Sequence, residues 1–486
     1  MRVDISKWEL HNCYLSPEGL RARRGMAQIR TSTAGTEYVG GFSIESASTT
    51  EVWHYLFEQS TTTSIVTMRV YTEQLDFAAS LVFSQDLGPL SKRPAISYAV
   101  ANNQVMINSP AFSSALYGLP GGGVITAHKT ASINPDTTAL EIPAGHICSF
   151  GDRMVIAQGN TLFVNDPPLS NNADPRTFTS ENVYPMTGNI YDIVQGGDGR
   201  LYIFTSDGTY SLPADAIGQG QSIVGFLARI PGIETSRSRN ACAAAGQVAV
   251  LQKDSVVLLP SMERIDLKRR KGKRYETASV DVEDLRLAGE LSPTPDGFVV
   301  GFRAAQSFYL EGNIRQSSYS YNYGTLGFQL SYQVVAILRT RENAPLYVVR
   351  DSVIVPHTRE RSEQYGGSVY AVASGRIDLP ENGSPVLRRV TMKADAIGYT
   401  TGIFCDTRSS AGVAIPSQAG DFIVGTSLWD TTVNYRGRET RTVRHSFAER
   451  TSDPSIEVRV SGSDVLMGDT IEVEFAGQGR RRRDKS

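Results

Sequence analysis

The sequence predicts an all-β protein: a β-propeller of six blades, with a seventh unit admitted, followed by a C-terminal β-sandwich. Two observations predict this. One hairpin pattern recurs six times, with first strands beginning at Val105 (VMIN), Met154 (MVIA), Leu201 (LYIF), Val248 (VAVL), Phe298 (FVVGF) and Leu346 (LYVV), in steps of 49, 47, 47, 50 and 48 residues. A period of about 48 residues is the size of one propeller blade. After about residue 375 the repeat stops, and longer strands with apolar and charged residues in alternation replace it.

Taken in order, residues 1–44 read as an N-terminal extended segment. Val52-Trp53-His54-Tyr55-Leu56-Phe57 follows a capping box of Ser48 and Glu51, yet its aromatic and β-branched content favours a strand. Leu56 lies 49 residues before Val105 and has a partner run at Ile65-Val66, which is what admits the seventh unit. The propeller is expected over 45–375. Second strands of the hairpins follow at Leu116-Tyr117, Leu162-Phe163, Thr209-Tyr210, Val256-Val257, Phe308-Tyr309 and Val353-Ile354. Asp207-Gly208 reads as a tight primed turn. The segment from about 311 to 340, with Tyr319, Tyr321 and Tyr323, has no clear period and reads as an excursion between blades. In 376–486, Ile456-Glu-Val-Arg-Val460 and Ile471-Glu-Val-Glu-Phe475 alternate cleanly. With Val386 to Ala394 and Arg438 to Phe447 they predict a two-sheet sandwich, ending in a basic tail.

The 486-residue chain, 40% apolar, has enough hydrophobic content to close a core without staples. Its 48 Lys and Arg nearly cancel 50 Asp and Glu, so net charge argues neither for nor against a nucleic-acid partner. Cys13, Cys148, Cys242 and Cys405 lie more than ninety residues apart and read as buried thiols of a reducing cytoplasm. Met1 to Trp8 has no apolar h-region, and no stretch approaches ~18 uninterrupted apolar residues. Neither a signal peptide nor membrane insertion is expected.

No catalytic, cofactor or metal motif is expected. His11, His54, His128, His146, His357 and His445 have no paired spacing, so they read as partly buried or surface histidines. Gly218-Gln-Gly220 with Gly225 lacks the strand–turn–helix setting of a dinucleotide site. Gly121-Gly-Gly123 has no Lys or Ser/Thr in phosphate-loop register and reads as a flexible turn. Asn382-Gly-Ser384 matches a glycosylation acceptor but reads as a turn. A sialidase-like propeller would carry S-x-D-x-G at its blade turns; Ser206-Asp207-Gly208 lacks both intervening residues, and no acid/base pair can be nominated for glycoside chemistry. The chain is therefore read as a non-enzyme.

Two basic clusters stand out: Lys268-Arg269-Arg270-Lys271-Gly-Lys273-Arg274, and Arg480-Arg481-Arg482-Arg483 with Lys485. Two readings stay open for each, a solvated loop or tail paired with nearby acids or neighbouring copies, or contact with phosphate backbones, which needs only positive charge.

The opening Asn12-Cys-Tyr-Leu-Ser-Pro17-Glu-Gly19-Leu-Arg-Ala-Arg-Arg24-Gly25 resembles that of the tail nozzle or tail hub proteins of short-tailed bacteriophages, which stabilise packaged DNA. The likeness continues in Gly151 to Phe163 leading to Asn165-Asp-Pro167, in Leu201 to Leu212, in Ser374-Gly-Arg-Ile-Asp-Leu379 before Val386-Leu-Arg-Arg-Val390, and in the closing strands with Gly462 between them. Asn165 departs from the serine expected there. The resemblance implies a structural virion protein: a cyclic oligomer, a hexamer, that continues the DNA channel below portal and adaptor, anchors fibre, spike or tail-tip proteins, and touches packaged double-stranded DNA weakly and without sequence preference. It implies the virion tail as the location, after synthesis in the host cytoplasm. The competing reading is a propeller module that binds glycan or protein, as in an adhesin, and after it a propeller glycosidase.

Overall fold

The computed structural model describes every residue except 7, 17–18, 23–25, 46–50, 74–80, 91–93, 102–103, 127–139, 152, 166–177, 217–222, 267–283, 303–307, 316, 324–333, 341–344, 357–369, 378–385, 395–399, 406–407, 410–412, 415–440, 451–454, 462–465 and 477–486. The chain divides into two compact units: Gln28–Tyr309 with Ser331–Val355, and Met1–Ala27 with Leu310–Leu330 and Pro356–Ser486.

The first unit is a β-propeller, and among the described residues it has seven blades. Blade 1 is Thr36–Glu45, Val52–Ser60, Ile65–Thr72 and Leu81–Pro89. Blade 2 is Ser97–Ala101, Gln104–Asn108, Leu116–Gly118 and Val124–Thr126; blade 3 is His146–Phe150, Arg153–Gln158, Thr161–Asn165 and Phe178–Pro185. Blade 4 is Ile190–Gln195, Arg200–Thr205, Gly208–Pro213 and Ala228–Ile230; blade 5 is Ala241–Ala244, Gln247–Leu251, Ser255–Leu259 and Glu263–Asp266. Blade 6 has Gly289–Thr294, Gly297–Phe302 and then Phe308–Asn313, where the chain leaves the unit. Blade 7 is Val334–Arg339, Pro345–Val349 and Ser352–Pro356, and its outer strand is the N-terminal Met26–Thr31. Its first strand packs on that of blade 1, which closes the ring.

The six expected blades are therefore joined by the seventh that Leu56 and Ile65-Val66 admitted. Each recurring apolar run is the second strand of its blade, not the first, and each partner run is the third. These strands read as unbroken apolar runs because neighbouring blades cover both of their faces. Val155, Ile203, Leu212 and Ile193, for example, belong to one core between blades 3 and 4, and Met106, Ile147 and Ile156 to one between blades 2 and 3.

Val52 to Phe57 is a strand, as its composition favours. Asp207-Gly208 does not form a primed turn: Ser206 and Asp207 are the two loop residues and neither has positive φ, which Gly208 alone adopts, at 145°. Gly121 and Gly123 pack rather than flex. A Cβ on Gly121 would lie 2.4 Å from Trp53 Nε1, and one on Gly123 would lie 2.4 Å from Phe83 Cζ, so the turn is pressed against two rings of blade 1.

The second unit is a sandwich of two sheets. One runs Cys13–Ser16, Gly19–Ala22, Leu466–Ala476, Val386–Ala394 and Arg441–Arg450, with Arg2–Asp4 also paired to Leu466–Ala476. The other runs Ser318–Tyr323, Glu9–His11, Tyr370–Arg376, Ser455–Ser461 and Thr400–Cys405. Leu10, Ala373 and Val458 from this sheet meet Leu387, Val390, Met392, Ile471 and Val473 from the first in one core. Ile471 and Val473 are buried while Glu472 and Glu474 are exposed, because here only one face of each strand is covered.

The boundaries expected at 45 and 375 differ from this division. Residues 1–44 are not one extended segment: the first 22 supply four sandwich strands, Met26–Thr31 closes the propeller, and Thr36–Glu45 is the inner strand of blade 1. The expected excursion at 311–340 contains the sandwich strand Ser318–Tyr323 and the inner strand Val334–Arg339. Gly375 shows how closely the N-terminal residues pack on the strand Tyr370–Arg376, since a Cβ there would sit 2.5 Å from the indole of Trp8.

Candidate functional site

The first strands of successive blades pack against one another and line the centre of the ring. Four residues on or just before them carry charge or a titratable ring: His146, first in its strand of blade 3; Asp192, third in its strand of blade 4; Arg239, two residues before that of blade 5; and Glu290, second in its strand of blade 6. Arg239 joins them. Its Nη2 donates to the carbonyls of Val39 in blade 1, at 2.9 Å, and of Pro94 before blade 2, at 3.1 Å. Its Nη1 donates to Glu290 Oε2 at 3.2 Å, and its backbone N–H donates to Asp192 Oδ2 at 2.9 Å. Blades 1 and 5 are not neighbours, so this guanidinium spans the axis of the propeller.

Arg239 stands at φ 63°, a left-handed conformation that costs a non-glycine residue about 1–3 kcal/mol. The four hydrogen bonds it makes there offset that strain. Around it, Arg237 donates to the carbonyls of Arg286 and Gly289 at 3.0 and 2.7 Å, and Ser238 Oγ lies 3.2 Å from His146 Nε2. Arg237 Nη2 is also 4.0 Å from Glu290 Oε1.

Electrostatics at the axis follow from its dryness. Burial raises the Asp192 carboxyl to about 7, against the pull of the Arg239 and Ile193 N–H groups and of the Arg239 charge. Burial, aided by the Arg239 charge, lowers His146 to about 4. The Cys148 and Cys242 thiols are pushed up by burial and by Asp192, which makes them poor nucleophiles. The two axial carboxyls hold protein: Glu290 takes the guanidinium and Asp192 takes two backbone N–H groups, its second from Ile193 at 3.0 Å. Neither is presented as a free acid/base pair for glycoside chemistry.

Among the described histidines, His146 alone reaches the axis. His54 is fully buried on blade 1, with Nδ1 2.8 Å from Ser43 Oγ, and burial lowers it to about 4. His11 and His445 lie on sandwich strands. His128, His357, Gly218, Gly220 and Asn382 to Ser384 lie outside the described residues, as do Ser48 and Pro167. Both basic clusters do so too: Lys268, Arg269, Arg270, Lys271, Lys273 and Arg274, and Arg480, Arg481, Arg482 and Arg483. Among the described residues no group of three or more His, Cys, Asp or Glu could hold a metal. Cys13, Cys148 and Cys242 are free thiols.

Asp192, Arg239 and Glu290 were not nominated from sequence, yet a signal for them exists. His146, Asp192, Arg239 and Glu290 follow one another at 46, 47 and 51 residues, the blade period itself. A charged or titratable residue recurring in phase with a propeller repeat marks the axis.

No protein-family model matches the chain, and no curated protein matches it. Among solved structures it is similar to the extracellular domain assigned to a hybrid two-component system of B. thetaiotaomicron, at a TM-score of 0.43 and 9% identity. That match covers 85% of this chain and spans about half, 51%, of the other. It is also similar to an exo-beta-1,3-galactanase from Phanerochaete chrysosporium with galactose, at a TM-score of 0.25 and 12% identity, covering 93% of this chain and 100% of that one. At these scores neither likeness carries any chemistry over to this chain.

Proposed function

We propose that this chain is a structural subunit of the tail of a short-tailed bacteriophage, a nozzle or hub protein that assembles as a cyclic ring of identical copies, six by resemblance. The observation that carries the reading is the state of the propeller centre. Its charged groups are spent on one another and on backbone, as a rigid building block requires, whereas a site that turns over substrate needs groups held ready for it. The resemblance of Asn12 to Gly25, Gly151 to Phe163 and Ser374 to Val390 supplies the tail role. Copies meet head to tail through different patches, as a heterologous ring demands. An adaptor above and fibre, spike or tip proteins below are the partners, and the virion tail is the location.

Packaged DNA meets such a ring weakly. Each neutralised phosphate steepens the salt dependence by about 0.9 log units, so a lining that bound several tightly could not release the duplex. Lys268 to Arg274 and Arg480 to Arg483 accordingly serve subunit or adaptor contacts first and DNA second.

Electron microscopy of the native assembly is the test. A ring of copies around a duplex-sized channel is expected; a single copy per particle, or a monomer that binds a glycan array, overturns the reading in favour of an adhesin-like propeller. Replacing Lys268, Arg269, Arg270 and Arg274 together with Ser, and separately truncating after Gly479, is expected to impair tail assembly. Normal assembly with leaking DNA would reassign both clusters to the duplex.

A further inference from the structure

We propose that the centre of the propeller holds a binding site for an acidic sugar, whose ring stacks on the open face of Tyr98 and whose carboxylate meets Arg339. The site goes beyond the tail role and does not rest on it, since a ring of copies and a single copy would both carry it.

Three near-parallel rings build one wall. Tyr55, on the second strand of blade 1, stands directly opposite Phe42 on the first, and the two rings stack 4.7 Å apart at 16°. Tyr98, on the first strand of blade 2, stacks on Phe42 in turn, at 4.0 Å and 11°. The stack therefore runs inward from second strand to first, and Tyr98 is its end at the centre of the ring. Tyr55 and Phe42 are 0% and 6% exposed, whereas Tyr98 is 38% exposed although it lies on an inner strand. Phe42 covers one face of the Tyr98 ring, so the exposure falls on the face turned to the centre. Burial nonetheless raises the Tyr98 hydroxyl, with the Arg339 charge pulling the other way. A ring that water reaches and protein surrounds lines a concavity, and its hydroxyl stays neutral.

The guanidinium comes from blade 7, on the other side of blade 1. Arg339 is the exposed last residue of that blade's first strand, and its backbone N–H donates at 2.9 Å to Oγ of Ser43, the residue after Phe42. Arg239 marks the closed end. A Cβ on Gly40 would lie 3.4 Å from Arg239 Nη2 and 4.0 Å from Ile96 Cβ. Phe42 and Tyr98 each stand two residues further along their strands, about 7 Å. The site thus opens in the direction in which the inner strands run.

Three features select the ligand. A pyranose offers a flat face of C–H groups to the negative face of an aromatic ring. A carboxylate takes paired N–H donors from a guanidinium. Each first strand is hydrogen-bonded along its outer side only, which leaves the backbone N–H and C=O groups of its inner edge to the centre. Such a polar edge suits the hydroxyls of a sugar and finds no partner on the rim of an aromatic acid.

The test is calorimetric titration and saturation-transfer NMR of the full chain with glucuronate- and sialate-bearing oligosaccharides, lactose and benzoate. The acidic saccharides are expected to bind, more weakly as salt rises, and to exceed lactose by about tenfold. Arg339→Gln, at an exposed position, should remove that preference. Tyr98→Leu, which keeps apolar contact with Phe42 but loses the flat face, should weaken the acidic saccharides by roughly three- to tenfold. No binding of acidic saccharides, benzoate binding as well as they do, or binding that either substitution leaves unmoved overturns the proposal. Should Tyr98→Leu fail to fold, the parent decides the stacking: saturation of its aromatic resonances must reach the C–H protons of the sugar ring, and its failure to do so overturns the site. The number of copies in the assembled particle, which tests the tail role, has no bearing on these outcomes.

Discussion

At the axis, Arg239 alone gathers blades 1, 2, 4 and 6, its guanidinium through two backbone carbonyls and Glu290 and its backbone N–H through Asp192. At the seam between blades 7 and 1 the ring is held instead by side-chain packing. There Tyr38, Leu56 and Tyr71 of blade 1 bury against Val335, Leu338, Leu346 and Val348 of blade 7. Arg30 of the closing strand lies over the Tyr71 ring, 4.3 Å from its centre. Glu58, 1% exposed, accepts from Thr33 Oγ1 at 2.7 Å and Arg69 Nε at 3.2 Å, and Arg350 pairs with Glu37. Burial raises Tyr71 to about 12, so its hydroxyl stays neutral beneath the guanidinium.

The difference follows from where the chain has continuity. Along the ring, successive blades are tethered by the chain itself, and what the axis must supply is a common centre. At the seam the chain runs straight from Met26–Thr31, the outer strand of blade 7, into Thr36–Glu45 of blade 1, but blade 7 itself is built from opposite ends of the unit, and area has to replace the missing covalent link between its third and outer strands. The axis is thus a point that fails when one residue changes, while the seam spreads its energy over many.

The largest expected effect is at the point. Arg239→Met takes from buried Glu290 the nearer of its two guanidinium partners, leaving Arg237 at 4.0 Å, and takes the Arg239 donor from two carbonyls, and should destabilise the fold by about 3–5 kcal/mol in denaturant unfolding. Hydrogen exchange should then quicken in the inner strands of blades 1, 4 and 6 together; quickening in blade 5 alone would show that Arg239 is a local loop residue. Next comes the pH response of blade 1. His54 is neutral in the fold and lowered to about 4, so its contribution is present above pH 6.5 and lost as pH falls toward 4, by about 1.4 kcal/mol per unit. His54→Phe should flatten that slope in a series of unfolding curves.

A smaller effect belongs to the seam. A double-mutant cycle of Arg30→Met and Tyr71→Leu should return a coupling of roughly 0.5–2 kcal/mol. A coupling at the level of Arg239 would mean that the seam too depends on a single pair. The smallest is the outer edge of blade 5, where Arg264, 55% exposed, pairs with Asp254 at 2.6 Å and Asp266 at 3.0 Å. Arg264→Ser should change stability by less than about 1 kcal/mol, since water competes for both partners.

The middle of each blade was legible because its second and third strands are apolar on both sides and are joined by short turns, as in Leu201 to Leu212. The sandwich strands were legible for the opposite reason, since Ile471 to Phe475 alternates where one face is wet. The inner strands escaped notice: Ala241–Ala244 is short, and Gly289–Thr294 mixes Glu290, Ser292 and Pro293 with a single large apolar residue, Leu291. Such strands face a polar axis on one side and a neighbour on the other, so neither period is clean.

What the sequence determined by itself is local: strand type, turn positions, the blade period and the change of pattern near 375, all set by propensity and by which faces water touches. The tertiary structure decided what is non-local. It alone drew Met26–Thr31 to the far end of the ring, gave Met1 to Ala22 to the sandwich, and brought His146, Asp192, Arg239 and Glu290 from four blades to one centre. Such pairings depend on which surfaces remain to be buried once each blade has formed. No window of sequence holds both partners at once.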